Sequence, residues 1–462
     1  MKKPGLKNRL ITGGIGLTLL LGMLASAFFF SAGTNAAHAA VHPSSHSMSV
    51  HPLYRYAGKA NSANPSVTFS CQNAAAPVQC YSPQALLKAY GIQAVQDAGI
   101  TGKGKTIVII DAFGDPTVQE DLDLFSAVFG IPSTTVKVVA PFGTVPFDTN
   151  DANMVGWSGE IALDIESAHA VAPGAKIVLA IAKTNNDADI QNTLDYVVDH
   201  RLGDVVSQSY GEAESCVDPK IMKAQHRAFQ KAVLKGMTVF ASSGDDGAAQ
   251  PSCDGNSIVK EASSPASDPL VTAVGGTHLT ASQPDGAYGS ETAWNDEFGS
   301  SGGGYSKVYS RPLFQAGFVK NKARGVPDVA YNADVNGGLL VAWSEGDIAN
   351  LGDIFIFGGT SAGSPQWAAM AALVDSKFGN QGDINPLLYQ FVARFEYKKV
   401  FHDVTVGDNS VTETDSNGNP VSVTGFPATP GWDAVTGLGS IDLGKAILGS
   451  GKGCWSKTPI TY

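Results

Sequence analysis

The stretch IFIFGGTSAGSPQWAAMAALVD, Ile354–Asp375, hands a strand over to a helix within a few residues. Ile354–Phe357 is a β-branched and aromatic run, Gly358 and Gly359 break it, and the Ala, Met and Leu residues after Ser361 read as helix. A serine is therefore held at a strand exit, where α/β proteins place their chemistry. The same alternation recurs upstream. GKTIVIIDAFGDPT, residues 104–117, is a buried-type strand and turn, and Ala175–Ala182, Asp204–Gly211 and Gly236–Gly247 are strands with small-residue exits. Helical patterns fall at Pro83–Tyr90, near Ile190–His200 and near Ile221–Lys235. This spacing predicts an α/β fold with a mainly parallel central sheet flanked by helices, as one domain over residues 70–462. Ser126–Asn150 and Asn409–Pro430 are rich in turns and are expected to be surface excursions.

The chain has 462 residues, 43% apolar and 16% charged, enough for a large core. Its N-terminus stands apart. MKKPGLKNR is basic, Leu10–Phe30 is largely apolar, and small residues follow through Ala39, which describes a signal peptide over 1–39. An uncleaved anchor is the alternative. Residues 40–69, rich in Ser, Pro, Ala, Asn and His, are expected to be an exposed leader or linker. The formal net charge is −11. Losing Lys2, Lys3, Lys7 and Arg9 with the signal makes the remainder more acidic, which disfavours nucleic acid as a partner. Cleavage leaves no stable membrane association and a secreted chain in which disulfides persist. Cys71 and Cys80 are near enough to close a small loop, Cys216 and Cys253 flank a helix and a strand, and Cys454 is left over. Sequence alone does not fix the pairing.

Several arrangements compete to activate Ser361. Gly359–Gly363 matches G-x-S-x-G, the nucleophile elbow of α/β-hydrolases, but that order needs a separate acid and then a histidine downstream. Only His402 follows Ser361, and it adjoins Asp403. A Ser-His-Asp set of the subtilisin type would take Asp111 as acid and His169 as base. A third set lies on one helix, WSGEIALDIESAHAVAP, residues 157–173. Glu160 and Asp164 are four residues apart and about 40° apart round the axis, whereas His169 is turned about 180° from Glu160, and Glu166 also turns away. The bland reading of that carboxylate pair is solvated helix surface. Asp245, in SSGDDG just past an apolar strand, reads alone as a turn residue.

Taken together, these segments resemble the sedolisin family of serine-carboxyl peptidases, from about Cys80 to Gly451. The resemblance is carried by EIALD (Glu160, Asp164), SSGDDGA (Asp245), SPASDPLVTAVGGT (Ser264–Thr277), SGGGYSKVY, RGVPDVAYNAD and GGTSAGSP (Ser361). It implies a subtilisin-like fold and an endopeptidase acting on protein or peptide substrates, with Ser361 as nucleophile, Glu160 as base and then acid, Asp164 as its partner and Asp245 as the oxyanion-hole acid. A carboxylate base does not require a neutral imidazole, so acidic pH is the expected working range. Asp245 must hold its proton to donate toward the oxyanion. Ser364 is read as helix packing rather than as a second nucleophile. The SQSYG and SGGGY edges, with Ser207, Tyr210, Gly211, Gly302 and Gly303, look like the holders of extended peptide. A secreted peptide-binding module without turnover is the non-enzymatic alternative.

FHDVTVGDN and PATPGWDAVTGLG supply hard oxygen ligands and glycine-rich turns suited to Ca²⁺. The resemblance implies ligation by the Asp403 and Asp433 side chains and the Val404, Thr429 and Gly431 carbonyls, in a structural role. The family tends to have glycine where Thr429 stands; a carbonyl ligand survives that change, whereas a positive φ does not. The resemblance also implies a folded propeptide, for which the leader is too short. Unaided folding, a separate folding chaperone and a sequence that begins late are the alternatives, the signal peptide arguing against the last, and a monomer is expected.

Overall fold

The computed structural model describes residues 47–50, 52–60, 68–344, 350–394 and 397–449. These lie within one compact unit, Val41–Tyr462; the expected signal peptide and Cys454 lie outside the described residues.

The strand Thr106–Ala112 shows why a central sheet forms. Ile107 to Ile110 are wholly buried. Ile107 and Ile109 join one apolar cluster, while Val108, Ile110 and Ala112 join another. That period of two puts the clusters on opposite faces of the sheet, each covered by helices. In spatial order the sheet runs Tyr288–Ala293, Thr272–Ala281, Thr238–Ser242, Val205–Gln208, Thr106–Ala112, Lys176–Ala182, Val136–Val139. Val329–Asn332 also pairs with Thr272–Ala281, in parallel. Every pairing is parallel except that of Tyr288–Ala293. The expected α/β architecture is observed. The chain leaves Thr106–Ala112 to build one side and returns at Val205 to build the other, so a crevice opens beside Asp111 and Ser209.

Two helices carry the site. Asp151 caps Ala152–Val171 by accepting from the Asn153 and Met154 amides. From Trp157 to Val171 that helix is buried on every side. Gly363–Phe378 starts immediately after Ser361 and is buried through Asp375. The other expected helices appear as Pro83–Ala89, Asp187–Asp199 and Pro219–Leu234. Disulfides join Cys71 to Cys80 and Cys216 to Cys253.

Two expectations are corrected. Val136–Val139, within the supposed Ser126–Asn150 excursion, is the edge strand beside Lys176–Ala182. Part of the supposed exposed leader is also ordered sheet: Tyr54–Lys59 pairs antiparallel with Asp353–Phe357. Its physical reason is aromatic packing, since the Tyr54 ring contacts Trp343, Phe355 and Phe357. By contrast Asn409–Pro430 does project as a hairpin, Val411–Thr414 with Pro420–Val423.

Candidate active site

The sheet's carboxyl edge brings together four segments that are far apart in sequence. Phe357 ends its strand, Gly359 takes φ +87°, and Ser361 sits in a short 3₁₀ turn that runs into the long helix. Ser361 Oγ donates a long bond, 3.5 Å, to the Ser209 carbonyl. Glu160 and Asp164 are wholly buried, which rules out the solvated-surface reading of their helix face. Asp164 Oδ1 accepts from Ser209 Oγ at 2.8 Å. Asp245 Oδ1 accepts from both the amide and the hydroxyl of Thr360, each at 2.7 Å, one residue before Ser361.

No bond of normal geometry joins either Glu160 oxygen to a neighbour. The carboxyl is nonetheless close enough to Ser361 for that hydroxyl to act on its ionisation. Such loose geometry is common before substrate aligns a site. Burial drives Glu160 well above the usual carboxylate range; the Ser361 hydroxyl opposes this, while Asp111 and Asp245 reinforce it. Asp164 is raised in the same way, by burial first and then by Asp111 and Glu160. Asp111, buried with both oxygens lacking a hydrogen-bond partner, is pushed up to about 8 by burial. Three carboxyls in so dry a place share protons and titrate together.

The histidine alternative fails on placement. His169 is buried and its Nε2 lies 2.6 Å from the Pro132 carbonyl, away from this cluster; burial holds its pKa low. Glu166 likewise turns off to accept from the Ala342 amide at 2.9 Å. Asp111, the acid of that rival set, instead lies among the carboxyls. The sequence reading passed over Ser209 and Thr360. Strand alternation was the available signal for Ser209, since it shares a face with Ser207, whose hydroxyl meets Ser364 at 2.8 Å.

The expected peptide-binding residues divide. Tyr210 is buried and donates to Gln208 Oε1, and the Gly211 amide and carbonyl both pair with the backbone of Ser49. Ser207 is wholly buried behind Ser361. The Gly302 and Gly303 amides donate to the Gly244 and Gly247 carbonyls, so these glycines brace the Asp245 loop.

At the far end, Gly431 N donates to Asp403 Oδ1 at 3.0 Å, joining the two expected calcium loops. Asp433 accepts from the Thr429, Val435 and Thr436 amides. Tyr397 Oη donates to Asp403 Oδ1 at 3.3 Å. Val404 is buried beside Asp403. Thr429 has no positive φ, so the change from glycine creates no backbone strain. Among the described residues no group of three or more His, Cys, Asp or Glu side chains is placed to hold a metal ion, so any cation here would draw on these two carboxylates and on main-chain carbonyls.

The subtilase family model matches residues 149–390. Kumamolisin from Bacillus sp. (strain MN-32) is 36% identical over 399 residues, 83% of this chain and 66% of its own length. Sedolisin from Pseudomonas sp. (strain 101) is 29% identical over 360 residues, covering 75% and 57%. The solved Pseudomonas sedolisin, a serine-carboxyl proteinase complexed with two molecules of pseudo-iodotyrostatin, matches with a TM-score of 0.67 at 28% identity. That match covers 80% of this chain and 97% of the other. The chain therefore belongs to the subtilase family, in its sedolisin and kumamolisin branch of serine-carboxyl peptidases. It spans about three-fifths of the length of these two curated relatives.

The raised carboxyls have a consequence for stability. A group whose folded pKa lies above its unfolded value stabilises fully below the unfolded pKa, and loses that contribution as pH rises through the folded one. For Asp111 the window runs from its ordinary 3.8 to about 8. Urea unfolding of the wild type should therefore show falling stability across that interval, and Asp111→Asn should flatten the slope. An unchanged slope in the variant would remove Asp111 as its source.

Proposed function

We propose that this chain is a secreted serine-carboxyl endopeptidase that hydrolyses peptide bonds of proteins at acidic pH. The observation that carries the reading is the meeting of Ser361, Glu160 and Asp164 at the sheet's carboxyl edge, with His169 turned elsewhere. Glu160 takes the Ser361 proton as Oγ attacks the carbonyl carbon, then returns it to the leaving amine; water deacylates the serine by the reverse roles. Asp164, fixed by Ser209, orients Glu160. Asp245 in its acid form donates to the developing oxyanion beside the Ser361 amide. Secretion is supported by the N-terminal sequence and the two disulfides. Among the described residues no helix is long and apolar enough to cross a membrane.

A peptide library incubated at acidic pH, with Ser361→Ala alongside, tests the reading. Cleavage by the wild type alone supports it. Peptide retention without cleavage would favour the binding module.

The same reading includes a structural Ca²⁺ held by the Asp403 and Asp433 carboxylates and the Val404, Thr429 and Gly431 carbonyls. The ion supplies charge neutralisation between the carboxylates. At a hundredfold excess over Kd, Ca²⁺ bound only by the folded state adds about 2.7 kcal/mol. Chelation should accordingly lower Tm, and Asp403→Ala and Asp433→Ala should blunt the response to added Ca²⁺. A melting curve unmoved by verified metal removal counts against the site.

A further inference from the structure

Thr360 holds the side chain of Asp245, and its backbone is held by the segment 300–303. The Ser300 amide donates to the Asp245 carbonyl at 2.7 Å, and the Gly247 amide donates to the Ser300 carbonyl at 2.9 Å. Asn409 grips both partners of this ladder from the root of the Asn409–Pro430 excursion. Among the described residues from Thr405 to Ser422 it alone is buried, and it is wholly so. Its carbonyl accepts from the Ala248 amide at 3.0 Å, three residues past Asp245. Its Nδ2 donates to the Ser301 carbonyl at 3.0 Å, and its Oδ1 accepts from the Phe426 amide at 2.8 Å.

One residue thus ties together the Asp245 loop, the segment that braces it and the neck of the hairpin. A buried amide is costly unless its polar groups are bonded, and these bonds lead to three separate segments. The fit is close. A Cβ at Gly247 would fall 2.5 Å from the Asn409 carbonyl, and one at Gly425 would fall 2.4 Å from that carbonyl and from Oδ1. The excursion tip is exposed, so the burial at its root is not explained by an apolar core beneath the hairpin.

We propose that Asn409 is a positioning residue for the reaction: it sets the Asp245 loop where the acid meets the oxyanion. This rests on the peptidase reading for the role of Asp245, but the bracing itself is tested without turnover. Asn409 acts through the loop and not on substrate. A displaced oxyanion donor weakens the transition state and leaves ground-state binding nearly as it was, so the loss falls on kcat.

Asn409→Ala, made in the full chain with folding checked by circular dichroism, should lower kcat at least tenfold and move KM less than twofold. Gly425→Ala crowds Asn409 without removing its groups and should do the same; it decides the matter if the first variant does not fold. At pH 4 a buried carboxyl keeps its proton, so Asn409→Asp offers an O–H to Ser301 and an acceptor to Phe426. Its kcat should return to within threefold of wild type. The charged groups on the segments bonded to position 409 are Asp245, Asp246 and Asp408, with Lys260 over the Phe426 ring at 3.9 Å. Two inhibitors separate positioning from general damage: a peptide aldehyde ending just before a library cleavage site, and the matching peptide alcohol. Ser361 Oγ bonds to the aldehyde carbon, Glu160 takes the hydroxyl proton, and the carbonyl oxygen becomes the oxyanion; the alcohol forms no such bond. Asn409→Ala should weaken the aldehyde at least tenfold and the alcohol less than twofold. Equal weakening of both, an unchanged kcat in the folded variants, or an Asn409→Asp as impaired as Asn409→Ala overturns the inference. Hydrogen exchange needs no turnover, and the Ser300 amide should exchange faster in Asn409→Ala. If the wild type never cleaves peptide while that exchange result holds, the peptidase reading falls and the bracing stands. If the wild type cleaves and the exchange is unchanged, the bracing falls alone.

Discussion

Glu160→Gln lowers kcat/KM by about 10³-fold or more, because the amide keeps the carboxyl's volume but has no basic oxygen for the Ser361 proton. His169→Ala keeps most activity, since the imidazole faces the Pro132 carbonyl. The comparison needs folding checked at each pH from about 3 to 9, which spans the reference carboxylate and imidazole values. The wild-type profile should peak on the acidic side. On the proposed mechanism falling pH protonates Glu160, which burial already raises well above the usual carboxylate range, and removes the base, whereas a charged Asp245 would repel the oxyanion instead of donating to it. Near-wild-type turnover by Glu160→Gln, with an inactive His169→Ala and a neutral optimum, would falsify the carboxylate mechanism.

Ser361→Ala should remove peptidase activity by about 10⁴-fold or more, because no acyl-enzyme forms without Oγ. Structure should survive. Apart from its interaction with Glu160, the hydroxyl makes one long bond, to the Ser209 carbonyl, and alanine suits the turn between Gly359 and Gly363. Burst-phase acylation with an activated ester, read beside circular dichroism, checks both halves. Hydrolysis by the pure variant above host background would dismiss Ser361 as nucleophile.

Much of this was legible in the sequence for definite reasons. The central strands have wholly apolar runs because both sheet faces are covered, and that pattern is visible without coordinates. The 3.6-residue period separated Glu160 and Asp164 from His169, and the burial of the helix then removed the solvated reading. Asp111 was legible as a strand-end acid but not as a third member of a buried carboxyl cluster, because which strands adjoin is a property of topology. YRYAGK escaped notice since its strand is short, lies in polar surroundings, and is stabilised by rings nearly 300 residues away. The bracing role of the SGGGY glycines is hidden for a related reason. Their amides are bonded to the Asp245 loop, a pairing that local composition does not encode.

Gly359 bears on how this molecule could be altered. A Cβ there would sit 2.8 Å from Asp245 Oδ2, at a φ of +87° that other residues resist. Neither position is therefore free to drift alone: any side chain at 359 displaces the carboxyl that Thr360 holds. A campaign of directed evolution toward neutral pH that varies Asp245 by itself explores a cramped space. Libraries that vary 245 and 360 together while fixing 359 as glycine should yield folded variants far more often than libraries open at 359.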